Sequence, residues 1–262
     1  MQKTAIHITV TTLVISVFGG FLHWLQMMNA FEKDTGLAVP GSLTSIVYLI
    51  YSVVAIAALC VIVLAWMRQC SGSADSDHAL KTSGAVTVVL SWLICACITG
   101  ASCYLMFSLQ EVRYVMFQRI FGAFGVVAGL CVPCLNIRRD DDSLRTFARP
   151  AAAVLTLFFC FWLVFFYKSV SSENPVVLTY AVETLAIASA AVGMYYIAAF
   201  YFGVGKKNRA LIAVQLAAYF NIGALADEKN AVISLMLGAT AVMMLIAEYL
   251  IIRNLKTPDR GE

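Results

Sequence analysis

Eight apolar runs of membrane-crossing length follow one another along this chain, and that recurrence restricts the fold more than any other feature. A helix needs about 20 apolar residues to cross the hydrocarbon core of a bilayer. Runs near residues 6–30, 43–67, 84–109, 112–135, 151–169, 176–203, 209–226 and 231–252 meet this requirement. Pro40-Gly41, Pro150 and Pro175 stand at or just before helix starts, where the missing proline N–H costs nothing. The tightest break is SLQEVRY, residues 108–114. The weakest run is the seventh, which is short and carries Gln215 and Asn221. Hydrophobic residues make up 61% of the chain and charged residues 13%, against about 25% charged in soluble domains. Lipid is therefore the solvent for most of the surface. The expected fold is all-α: a polytopic transmembrane bundle of about eight spans, forming one domain over residues 1–262.

The loop charges orient such a bundle. Lys3, Arg68, Lys81, Arg138, Arg139, Arg145, Arg149, Lys206, Lys207, Arg209, Arg253, Lys256 and Arg260 fall on one side of an eight-span arrangement. Only Lys33, Arg113, Arg119, Lys168 and Lys229, of 18 Lys and Arg in all, fall on the other. The positive-inside rule then predicts both termini in the cytoplasm. The net charge of +3 is explained by this loop asymmetry, and no basic domain for nucleic acid is present. The first run lacks an A-x-A-like cleavage site and continues through Phe21 and Leu22, so it reads as a retained helix. The two four-helix halves show no convincing internal match of the kind some transporters carry.

Polar groups inside apolar runs are costly and usually face the protein interior. His23, Arg119 and Glu183 each lie about seven residues from the outer end of their runs, which is about 10 Å of depth. Equal depth permits an Arg119–Glu183 pair. Gln26 and Asn29 continue the polar side of the first helix, Gln118 adjoins Arg119, and Asn221 lies near the outer end of the seventh run. The alternative reading is that these groups join helices by hydrogen bonds and that Arg119 snorkels to the surface. Glu248, one turn from the inner end of the eighth run, reads as interfacial. Gly122, Gly125 and Gly129 mark a helix face suited to close packing. LTLFFCFWLVFFY in the fifth run is aromatic nearly all round and reads as a peripheral, lipid-facing helix.

Enzyme chemistries leave few traces. The eight cysteines avoid the outer loops, so no extracellular disulfide framework is implied. Cys131-Val-Pro-Cys134 has C-x-x-C spacing, but no second pair completes a zinc site, and small apolar residues around a Pro133 bend explain it. There is no H-E-x-x-H, no G-x-S-x-G, no P-loop and no mid-helix lysine for a Schiff base. Asn136 followed by Asp140 is similar to half of the diphosphate–Mg²⁺ motif of intramembrane prenyltransferases. Leu144 stands where a further Asp is expected, and Asp140, Asp141 and Asp142 read as a solvated turn offsetting four arginines. No cofactor is implied.

FLHWLQMMNAFEKDTGLAVPGS, residues 21–42, joins an aromatic and polar helix end to an F-E-x-x-T-G-L type loop. It resembles the first-helix region of a group of uncharacterised bacterial multi-pass membrane proteins. Over this one stretch, the resemblance implies an integral protein of a bacterial cytoplasmic membrane and carries no activity. The expected function is a small-molecule transporter or ligand-binding membrane subunit with a polar site in the outer half, lined by His23, Gln26, Arg119, Glu183 and Asn221. A scaffold or sensor subunit that contacts other membrane proteins is the alternative, and an intramembrane enzyme is the third.

Overall fold

The computed structural model describes residues 2–32, 37–69, 79–80, 84–108, 115–135, 142–171, 179–227 and 230–254, with side chains of the fifth helix described over 147–169. These residues form eight helices: α1 (Gln2–Asn29), α2 (Leu43–Gln69), α3 (Ala85–Phe107), α4 (Val115–Leu135), α5 (Asp142–Ser171), α6 (Ala181–Tyr201), α7 (Lys207–Ala224) and α8 (Ala231–Asn254). Among the described residues the only extended pairing is an isolated bridge between Phe31 and Ala38. Seven helices are long and apolar enough to cross a membrane, so the chain is a multi-pass integral membrane protein. The loop aspartates Asp140 and Asp141, the loop residues Lys33 and Asp34, and most of the 108–114 break lie outside the described residues.

The helix ends follow their local sequence. Val39-Pro40-Gly41-Ser42 closes with Ser42 N–H donating to Val39 C=O at 3.3 Å, and Gly41 adopts φ +73°. Proline fixes the first central residue and glycine accepts the left-handed second one, which is a type II turn leading into α2. At the end of α6, Gly203 takes φ +78°. Val204 N–H reaches Ala199 C=O at 3.0 Å and Gly203 N–H reaches Phe200 C=O at 3.2 Å. This is a Schellman cap, and it turns the chain at once into α7.

Helices α7 and α8 form the centre. Helix α8 touches α1, α3, α6 and α7, while α7 touches α1, α2, α6 and α8. Helices α3, α4, α5 and α6 pack in chain order. Burial follows this arrangement: 67% of the α8 window is enclosed by protein against 17% for α2, the least enclosed of the spans. Helix α5 packs chiefly against α4 and α6, at the edge of the bundle as expected, but its aromatic residues do not all turn to lipid. Leu155, Phe158, Phe159 and Trp162 are buried, while Phe147, Leu157, Val164 and Tyr167 stay well exposed within the span. Phe121 of α4 stacks on Phe165 with ring centroids 4.3 Å apart and on Phe158 at 5.5 Å. In lipid, aromatic bulk gains nothing from burial as such. It gains from dense contact with other rings, so it marks a packed seam.

Helix α7 is the exception to apolar length, as the sequence indicates, yet it lies alongside a span. Thr12 meets Gln215, Gly19 faces Tyr219, Gly20 faces Ile222, and His23 meets Asp227. The two numbers rise together, so α1 and α7 run parallel and cover the same depth. Its 18 residues extend about 27 Å, close to the hydrocarbon thickness. Because neighbours enclose it, α7 needs less apolar surface than a lipid-facing helix. The glycines allow the close approach: a Cβ on Gly19 would come within 2.8 Å of the Tyr219 ring. The α3–α4 seam is built the same way. A Cβ on Gly122 would stand 2.7 Å from Ser102 C=O, and one on Gly125 would overlap the Ser102 hydroxyl.

Candidate functional site

Two buried polar centres lie on the α1–α7 seam. The first closes the end where α1 and α7 finish. His23 Nε2 and Asp227 Oδ1 are 2.6 Å apart, and both residues are buried. His23 Nδ1 lies 3.1 Å from Gln26 Oε1, and Gln26 Nε2 donates to Ser45 Oγ of α2 at 3.3 Å. Both ring nitrogens thus lie within hydrogen-bond distance of a side-chain oxygen. Tyr48 packs against the imidazole with centroids 4.9 Å apart. The i, i+3 spacing of His23 and Gln26 puts them on one face of α1, and Asp227 comes from the turn that ends α7.

Sequence reasoning missed Asp227, because it sits beyond the last apolar residue and reads as a loop acid. Its signal was positional: α1 and α7 end on the same face in an eight-span topology, so an acid in that turn can meet a histidine near the end of α1.

The second centre lies deeper. Glu248 of α8 is completely buried. Its Oε1 accepts from the Thr12 hydroxyl of α1 at 2.8 Å and from Gln215 Nε2 of α7 at 2.6 Å. Gln215 Nε2 also lies 3.2 Å from Thr12 Oγ1. This corrects the interfacial reading of Glu248. Distance along the helix puts it near an end, but Thr12 of α1 and Gln215 of α7 cover its side chain there.

The other expected site residues fall apart from these centres. Asn221 is buried and donates to Ala186 C=O of α6 at 3.0 Å and to Ala217 C=O at 2.8 Å, fastening α7 to α6. Glu183 is buried in the first turn of α6, where a carboxylate meets the positive end of the helix dipole. Arg119 is exposed on α4. Arg119 and Glu183 form no ion pair, and the only ion pair among the described residues is His23–Asp227. Gln118 turns inward, donating to Leu105 C=O at 2.8 Å and Ser108 Oγ at 3.0 Å, which joins α4 to α3.

The C-x-x-C pair is free, with Cys134 Sγ donating to Leu130 C=O at 3.7 Å. Among the described residues no cluster of three His, Cys, Asp or Glu is placed to hold a metal. A pocket among α3, α4, α6 and α8, walled by Ile94, Val132, Met194, Ala247 and Leu250, holds only about 30 Å³ and is apolar. It is too small for an organic solute. No family model, no curated protein and no solved structure matches this chain, so the functional reading rests on its own residues.

Proposed function

We propose that this multi-pass membrane protein is a small-molecule transporter or ligand-binding membrane subunit, with its polar site at the end of the α1–α7 seam. The carrying observation is the buried His23–Asp227 pair with Gln26, Ser45 and Tyr48 around it. Charged and polar groups inside a membrane bundle mark a solute or ion path by default. A small polar solute would compete for the imidazole, the carboxylate and the Gln26 amide. In this proposal both termini are cytoplasmic and the site faces outward, because the loop charge asymmetry assigns the Lys33 side to the outside. The membrane is proposed to be a bacterial cytoplasmic membrane, on the resemblance of residues 21–42.

The test is a thermal-shift panel of amino acids, amines and small carboxylates on the purified protein in detergent. A solute that stabilises the wild type but not Gln26→Ala or Ser45→Ala supports the reading. A panel without any stabilising member, together with unchanged uptake by proteoliposomes, overturns it.

A scaffold or sensor subunit is the second reading, favoured by the way His23, Gln26 and Asn221 already hydrogen-bond within the protein. Under it, the same substitutions lower stability and leave no solute response to lose.

A further inference from the structure

The Glu248 centre has a donor-and-acceptor imbalance that the protein itself does not resolve. Glu248 Oε1 already accepts two hydrogen bonds. Glu248 Oε2 and Gln215 Oε1 are buried and have no hydrogen-bond partner among the described residues. Both side chains are completely enclosed. A buried acceptor left unmet costs about 1–3 kcal/mol, and a carboxylate without a counter-charge costs more.

Among the described residues no side chain supplies that counter-charge. Near Thr12, α1 is apolar or hydroxyl-bearing from Ile8 to Ser16, and His7 is exposed. Helix α3 offers only Cys95, Cys97, Cys103 and Tyr104, while α6 offers Tyr195, Tyr196 and Tyr201 along its inner half. Helix α7 carries Lys207 and Arg209 at its start and Tyr219 beyond Gln215. On α8 itself, Arg253 packs against the Tyr249 ring at 5.9 Å. Glu248 makes no salt bridge with any of them.

We propose that Glu248, Gln215 and Thr12 form a binding site for a monovalent cation, either a proton or Na⁺. The cation sits between Glu248 Oε2 and Gln215 Oε1, balances the single carboxylate and satisfies both orphaned oxygens. A divalent ion would leave excess positive charge, since only one acid faces the site. Hard oxygen donors suit Na⁺, and a proton on Oε2 gives the same charge balance. The site joins α1, α7 and α8, so its occupancy adjusts how these three helices pack, along the same seam that ends at His23 and Asp227. It stands independently of the solute reading above, because its test contains no organic solute.

The experiment uses the full-length protein in detergent and lipid. Thermal stability is measured at constant ionic strength while Na⁺ replaces choline, and infrared difference spectra are recorded across a pH step in H₂O and D₂O. If Na⁺ fills the site, the wild type melts several degrees higher in Na⁺ than in choline, and Glu248→Gln does not. If a proton fills it, the pH step produces a carboxylic C=O band that shifts in D₂O and is missing from Glu248→Gln. Gln215→Leu should weaken either response while keeping the carboxyl group. If Glu248→Gln does not fold, Gln215→Leu carries the assignment, since an unchanged response in it overturns the proposal. A wild type with neither a Na⁺ response nor a carboxylic band, or one whose responses persist unchanged in Glu248→Gln, overturns the proposal.

Discussion

His23 and Asp227 show how far a single residue can be read. His23 and Gln26 stood out in the sequence because each interrupts an apolar run at one-turn spacing. Their partner Asp227 did not, since an acid after a helix reads as solvent-facing until the neighbouring helix end is known. Glu248 failed differently: position along a helix measures distance to its end, whereas burial depends on what covers that end. The His23–Asp227 contact is a buried hydrogen-bonded pair, and removing one partner of such a pair costs about 1–3 kcal/mol. Asp227→Ala and His23→Ala should each lower stability toward that range, while the double variant should lose clearly less than the sum. Unfolding in a graded detergent mixture would measure the cycle; strict additivity would show that the contact is not energetically coupled. Gln118→Ala is the control, because membrane hydrogen bonds average only about 0.6 kcal/mol.

At the scale of the element, small residues proved more legible than large ones. Gly122, Gly125 and Gly129 announced a close-packed face, and α4 lies against α3 along that face. The aromatic residues of α5 misled because lipid and a packed seam both accept apolar side chains, so hydrophobicity alone cannot tell them apart. Ring-on-ring contact with Phe121 decides the matter, and it is a property of two helices together. Gly125→Ala should destabilise by about 1–3 kcal/mol through overpacking against Ser102. Ser102→Gly should recover much of that loss, because it removes the atoms the new methyl meets. The recovery is measured in the same unfolding assay, and no rescue would mean the seam is looser than drawn. Gly203→Ala probes a cap instead of a seam. With φ at +78°, an added Cβ should cost roughly 1–2 kcal/mol, read as a lower melting temperature.

At the scale of the molecule, apolar length made the helical bundle legible, and only α7 stood apart. Its polar residues lowered its apolar score for the same reason that makes it central: Gln215, Asn221 and Tyr219 all point at neighbouring helices. The decisive property is its direction. If α7 crosses parallel to α1, Gly20 and Gly223 are neighbours, since a Cβ on Gly20 would stand 3.7 Å from Gly223 Cα. In a cysteine-free background, Gly20→Cys with Gly223→Cys should cross-link readily under mild oxidation. Gly20→Cys with Asn208→Cys should not, because Asn208 lies at the far end of α7, about 20 Å away along the helix. Protease cleavage in the loop before α7, followed by electrophoresis with and without reductant, would read the two pairs. Cross-linking of the second pair in place of the first would mean that α7 runs antiparallel to α1, and the His23–Asp227 and Thr12–Gln215–Glu248 centres would then both be lost.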